Sequence, residues 1–273
     1  MNLENNFSVL IGVYHKDVPE YFQQAMDSVL NQTIKSNDIV LSIDGPIYGD
    51  LLDTVNNYLI KYSEIHPIWL PENIGQGKAF QKALPKCQNE IVFRMDSDDI
   101  CIPTRFERQL NYLLEHPEVR LMSSTISEFT DTTENIVTIK KVPETNNEII
   151  KFARRWNPIN QPSAVFYKSD VLAVGSYQDF YRYEDYYLWV RMLSAGYKAA
   201  NIQDSLLYYR LSSENLKRRM NWRTTKSSLK FHQWKYKIGF TNWFDTYYMI
   251  VVMLGIFIIP DFIFEKIYKH LRK

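Results

Sequence analysis

The stretch RMDSDDI at residues 94–100 sets Asp96, Asp98 and Asp99 within four positions, directly after the apolar run Ile91-Val92-Phe93. Carboxylates this close repel one another. A hard divalent cation such as Mg2+ or Mn2+, which prefers oxygen ligands, offsets that repulsion. A solvated acidic turn capping the next helix, with Pro103 near its start, uses the same residues without a ligand. Both readings are open on these residues alone. An EF-hand calcium loop is not: Glu107 stands twelfth from Asp96, but Cys101 takes the place of the required glycine and Ile100 cannot ligate.

Other candidates are spread along the chain. Asp44 ends a short apolar run and precedes Gly45-Pro46. The segment PENIGQGKAF at 71–80 carries Asn73 and Lys78 but lacks the glycine spacing and the Ser or Thr of a P-loop; its own residues read as a turn and a helix opened by Gly77. Glu184-Asp185 opens a run with helical spacing, where an acidic first turn suits the helix dipole. Adjacent helical residues point about 100° apart, so one acid is expected to face a substrate while the other turns aside. His15, His66, His116, His232 and His270 have no ligand spacing, and Cys87 and Cys101 match neither a disulfide framework nor a zinc site, which fits a reducing compartment.

The elements that must hold these residues alternate. Strands are expected at 7–14, 39–43, 65–70 and 90–95, and helices at 19–32, 51–62 and 77–84. Strands separated by helices of this length predict a parallel sheet with helices on both faces. Ligands of such sheets bind at the carboxyl ends of the strands, where Asp44 and the 96–99 cluster fall. No period of repeats runs through the chain.

The 273 residues, 45% hydrophobic and 15% aromatic, can bury one large core, with or without an appendage. The N-terminus has no signal-peptide pattern. Charge is uneven: residues 215–273 hold twelve basic and three acidic side chains, and residues 1–214 hold twenty basic and twenty-eight acidic. Residues 246–260 are uncharged but short of the roughly 20 apolar residues a spanning helix needs. From Phe262 onward an apolar and a basic face share one helical pattern, as in a helix lying in a membrane interface. Basic residues interleaved with aromatics also suit nucleic acid, but the acidic body and the adjoining apolar run favour an anionic membrane surface and no nucleic acid. A solvated helical pair covering the core is the plain alternative.

Taken in order, SVLIGVY, SVLNQT, Asp44, PENIGQGKAFQKAL, RMDSDDICIPTRFERQ, NPINQPSAVF, YEDYYLWVRML and NIQDSLLYYRLS resemble a family 2 glycosyltransferase of the GT-A fold, of the bacterial O-antigen and exopolysaccharide type. The charge and apolar pattern make 215–273 a basic, membrane-associating helical region; the resemblance implies an α/β fold with a central, mostly parallel sheet flanked by helices and a catalytic domain at 1–214. It implies that Asp44 accepts the uracil N3–H of a UDP-sugar, although the acid usual beside it is Ile43 here. It places Asn73 and Lys78 by the nucleotide, Asp96 at the ribose, Asp98 on Mn2+ or Mg2+, and Asp99 as a support of the loop. Asp185 is implied as the base that deprotonates the acceptor hydroxyl, with Glu184 beside the substrate. Gln161 stands where the family usually has histidine, so no acid–base role is expected there.

The expected activity is an inverting, metal-dependent transfer of a hexose, galactose or glucose, from its UDP-sugar. The expected acceptor is lipid-linked, such as GlcNAc-diphosphoundecaprenol, at the cytoplasmic face of the bacterial inner membrane, with the protein peripheral or monotopic. A sugar-nucleotidyltransferase would want a Gly-rich basic loop after the first strand, and GVYHKDVPE is not that. A non-catalytic nucleotide-sugar or polysaccharide-binding protein would not need both the metal acids and the base.

Overall fold

The computed structural model describes residues 6–211 and 222–258. Strand β1 (Phe7–Val13) and β2 (Asp38–Ile43) are buried almost throughout, as expected of central strands covered on both faces. Helix α1 (Pro19–Leu30) links them, starting with Pro19 at its first turn and turning Phe22, Met26 and Val29 inward. Helix α2 (Gly49–Lys61) leads to β3 (Ile65–Trp69), and α3 (Gln76–Ala83) leads to β4 (Ile91–Asp96). The two-residue β5 (Ile100–Cys101) and α4 (Arg105–Glu115) follow.

The second half is less regular: β6 (Val119–Phe129), β7 (Ile136–Lys140), α5 (Asn146–Ala153), β8 (Val165–Tyr167), α6 (Lys168–Ala173), α7 (Glu184–Ser194) and β9 (Lys198–Arg210). The strand order is β3-β2-β1-β4-β8-β6-β9-β5, with β7 on β6. As expected, the sheet is parallel over most of its paired residues, and its second half adds short antiparallel pairs. Pairs β1–β2, β1–β4, β2–β3 and β6–β9 are parallel, and β4–β8, β6–β8, β6–β7 and β5–β9 are antiparallel. Strand–helix–strand crossovers impose parallel pairing on β1 to β4. Past Asp96 the chain runs through turns and irregular segments that reverse direction.

Each face of the sheet carries its own core. One holds Phe7, Phe93 and Phe106, whose rings meet at 4.7–5.2 Å beneath α1, α2 and α4. The other holds Phe80, Phe166, Trp189 and Phe231. Phe231 belongs to α8 (Trp222–Lys237), which pairs with α9 (Trp243–Ile258). The outer side of α9 leaves Trp243, Phe244, Tyr247 and Val251 at least half exposed. No helix among the described residues is long and apolar enough to cross a membrane. The amphipathic end from Phe262, including His270, lies outside the described residues.

Candidate active site

Register lines up the carboxyl ends of three strands. Val13 pairs with Ile43 and Gly12 with Asp96, so Asp44 and the 96–99 turn flank the end of β1. A cleft of about 560 Å³ opens there. All seven site residues expected from the sequence, Asp44, Asn73, Lys78, Asp96, Asp98, Glu184 and Asp185, line it. A larger cleft, about 850 Å³ between α5 and α9, contains none of them.

Asp44 is buried and holds the turn that leads into α3. Its carboxylate accepts the Ile74 N–H at 2.8 Å and the Gly75 N–H at 2.9 Å, while Asn73 Nδ2 donates to the Asp44 carbonyl at 3.0 Å. Gly45 makes this approach possible. Its φ of 88° suits glycine, and a Cβ there would sit 2.6 Å from the Asn73 nitrogen. The N-terminal turn of α3 then points Gln76, Gly77 and Lys78 into the cleft. Lys78 reaches across the mouth to Asp179 at 2.9 Å, an exposed pair worth no more than about 1 kcal/mol.

The 96–99 turn divides its acids among different jobs. Asp99 is fully buried and accepts the Arg210 N–H at 2.8 Å, supporting the loop as expected. Asp96 accepts from the buried Arg94 at 2.5 Å. Asp98 points into the cleft, and burial, then the Asp96 and Asp17 charges, push its carboxyl up to about 7. Asp17 receives hydrogen bonds from Ser97 Oγ (2.7 Å) and the Tyr14 N–H (3.2 Å), and burial lifts it to about 6.

These donors fit a hard cation in part. Asp98, Asp96 and Asp17 offer only oxygen and an excess of negative charge. Yet no cluster of three or more metal-ligating side chains among the described residues is arranged to hold an ion unaided. Such a site suits Mg2+ or Mn2+ that arrives with phosphate oxygens to complete its shell.

Across the cleft, Glu184 and Asp185 open α7, anchored behind by Leu188, Trp189 and Val190 in the core. The expectation that one acid turns aside is corrected, since both line the cleft. They sit at the helix N-terminus, where the cleft wraps around the first turn. Gly77 lets α3 close on them: a Cβ there would lie 3.0 Å from the Glu184 Cβ. Burial, then the neighbouring Asp185 charge, raises Glu184 to about 7. Burial also raises Asp185, opposed by hydrogen bonds from the Tyr186 backbone and from Asn157 Nδ2, the latter at 2.7 Å. A half-buried carboxylate with elevated proton affinity, aimed by one amide, can accept a proton from a bound hydroxyl.

Sequence reasoning gave no role to Arg94 or Asp17, and placed Asn157 only within a segment, 157–163, that resembles the family's acceptor-side loop. Arg94 was visible as a lone cation inside the apolar strand IVFRMD; it lies 4.2 Å over the Phe80 ring, fully buried. Asp17 follows the end of β1, the same kind of position that drew attention to Asp44. Asn157 lay within the quoted NPINQPS, but nothing local ties it to Asp185. Gln161, from the same motif, lines the cleft, and its Nε2 is buried without a partner.

Residues 8–174 match the family described as glycosyl transferase family 2. The chain is 36% identical over 264 residues to the amylovoran biosynthesis glycosyltransferase AmsE of Erwinia amylovora, covering 95% of this chain and 98% of AmsE. It is 32% identical over 263 residues to the UDP-Gal:alpha-D-GlcNAc-diphosphoundecaprenol beta-1,3-galactosyltransferase of Escherichia coli, covering 96% and 95%. Among solved structures it resembles the mannosyltransferase PcManGT of Pyrobaculum calidifontis in complex with GDP-Man and Mn2+, with a TM-score of 0.64 and 14% identity over 85% of this chain and 64% of that one. Residues 1–349 of S. aureus TarS in complex with UDP-GlcNAc give a TM-score of 0.64 at 14% identity, over 83% and 65%. The chain thus spans about two-thirds of these structural neighbours and nearly all of the two sequence relatives just named. With these matches and carboxylates on both walls of a cleft at the strand ends, the chain belongs to glycosyl transferase family 2, with a GT-A-type fold.

Proposed function

We propose that this glycosyltransferase moves a hexose, galactose or glucose, with inversion from a UDP-sugar to a lipid-linked acceptor such as GlcNAc-diphosphoundecaprenol, in O-antigen or other surface polysaccharide synthesis. The observation that carries the reading is the opposition of two acidic walls across one cleft, Asp96 and Asp98 facing Glu184 and Asp185. The relative named for the UDP-Gal reaction, similar along almost its whole length, supports the donor and the acceptor class.

In this reading Asp44 and Asn73 hold the uridine side, Asp96 the ribose, and Lys78 with the N-terminus of α3 the diphosphate. Asp98 would hold Mn2+ or Mg2+ together with the diphosphate, and the ion would neutralise charge on the departing UDP. The neighbour bound to Mn2+ supports this choice. Asp185 takes the proton of the acceptor hydroxyl as that oxygen attacks the anomeric carbon; the bond from that carbon to the UDP oxygen breaks. Glu184, beside it, positions the sugar. Incubating a panel of UDP-sugars with a synthetic GlcNAc-diphosphate-lipid, with NMR of the product, tests donor, acceptor and linkage together. No transfer from any UDP-sugar would overturn the reading.

Residues 1–214 then form the catalytic domain and residues 215–273 a membrane-associating region at the cytoplasmic face. The exposed Trp243 and Tyr247, 69% and 63% accessible, support a peripheral or monotopic contact with anionic lipid. Replacing both by serine should reduce sedimentation with phosphatidylglycerol vesicles, and unchanged sedimentation would count against the contact.

A further inference from the structure

The hydrogen bond that aims Asp185 comes from a short segment, 153–157, which the C-terminal helices hold at several points. Helix α5 ends at Ala153, and the last carbonyls of a helix have no partner within it. Lys235 of α8 supplies partners, donating through Nζ to the Ala153 carbonyl at 3.1 Å and the Arg154 carbonyl at 2.8 Å. Lys235 is fully buried, and its Nζ lies 3.0 Å from the hydroxyl of Tyr186, which itself donates to the Ala153 carbonyl at 2.6 Å. Tyr186 is the residue after Asp185. One position along, Arg155 Nε donates to the buried Asp245 of α9 at 2.7 Å, and its guanidinium lies 4.8 Å over Tyr248. Two positions further, Asn157 reaches Asp185.

The same helix braces the other flank of the base. Ser227 Oγ donates to the Tyr181 carbonyl at 2.7 Å, and Phe231 packs on Tyr183 and Tyr186 with ring centroids 4.9 and 4.6 Å apart. A lysine buried in an apolar helix interface is costly unless its ammonium is fully used. A methionine would fill the space without that penalty, so packing alone does not account for an amine there.

We infer that the α8–α9 hairpin is a positioning element of the active site: Lys235 and Asp245 hold 153–157 so that Asn157 can orient Asp185. Lys235 and Asp245 touch no substrate; they act through Asn157. The inference rests on the reading of Asp185 as the base. It also ties the surface proposed to meet lipid to the group that activates the acceptor, because Asp245 lies on the helix that exposes Trp243 and Tyr247.

Two variants and two readouts test it. Lys235→Met should lower kcat for transfer from UDP-galactose to the GlcNAc-diphosphate-lipid by about tenfold, with UDP affinity within about twofold of the parent. In an Asn157→Ala background the same substitution should change kcat by less than about twofold, since the link it acts through is already cut. Hydrogen exchange at 153–157 should quicken in Lys235→Met, a readout that needs no substrate. If the parent transfers no sugar, the functional reading fails, while the exchange result still decides whether Lys235 holds the segment. Asp245→Asn, which breaks one ion pair and keeps the shape, should show the same pattern at smaller size and decides the matter if Lys235→Met does not fold. Unchanged kcat with unchanged exchange in either folded variant, or losses that simply add to that of Asn157→Ala, would overturn the inference.

Discussion

The two walls of the cleft gather the same kind of residue by different means. On the strand side, Asp44, Asp96 and Asp98 stand at or beside the ends of β2 and β4, the two strands that flank β1, placed there by sheet register, and Asp99 is locked by the Arg210 backbone. On the helix side, Asp185 depends on an amide 28 residues away, on a segment that is itself held from α8 and α9. The strand wall concentrates negative charge that a cation can relieve. The helix wall desolvates a pair of acids and raises the proton affinity of both. A charge-dense wall set by sheet register therefore faces one whose aim depends on distant contacts.

The largest expected effect breaks the strand wall. Asp98→Asn keeps the shape and loses the charge, so transfer should be abolished, as it should be for the parent protein in EDTA; full activity in the chelator would remove the cation from the scheme. Next is the helix wall. Asp185→Asn should lower kcat about a hundredfold or more with UDP affinity nearly intact, and Asn157→Ala, which leaves the carboxylate but not its aim, about tenfold. If Asn157→Ala matched Asp185→Asn, aim rather than basicity would be the main contribution of that wall.

Smaller effects follow from the shared burial of the pair. Burial raises Asp185, so activity should fall as pH drops while still above the ordinary carboxylate range, where the protonated acid no longer accepts. Glu184→Gln removes one of two repelling charges. The acid limb of its kcat/KM profile should therefore move to lower pH, with a loss of about tenfold or less at pH 8. The smallest effect is on stability. The Glu184 carboxyl at about 7 lies above its ordinary 4.5, so the folded state binds this proton more tightly than the unfolded state. Stability is thus lost as pH rises from 4.5 through 7. Glu184→Gln should melt about 2 °C higher than the parent at pH 8, and the gain should vanish toward pH 4.5. A gain independent of pH would show that ionisation was not its source.

By itself the sequence determined the strand wall and the identity of the acids. Apolar runs of period two or near-continuous burial locate β1, β2 and β4, and a carboxylate just past such a run stands at a strand end whatever the rest of the chain does. The same logic located α7 and its acidic first turn. Only the tertiary structure decided the contacts that cross long separations: Asn157 on Asp185, Lys78 on Asp179, Arg210 on Asp99, Lys235 on the end of α5. It also decided that both acids of α7 face the cleft and that the sheet is mixed, since strand direction past Asp96 depends on the route of irregular segments. Local periodicity fixes which way a residue points along its own element. Which partner it meets depends on packing between elements, and no spacing in the chain records that.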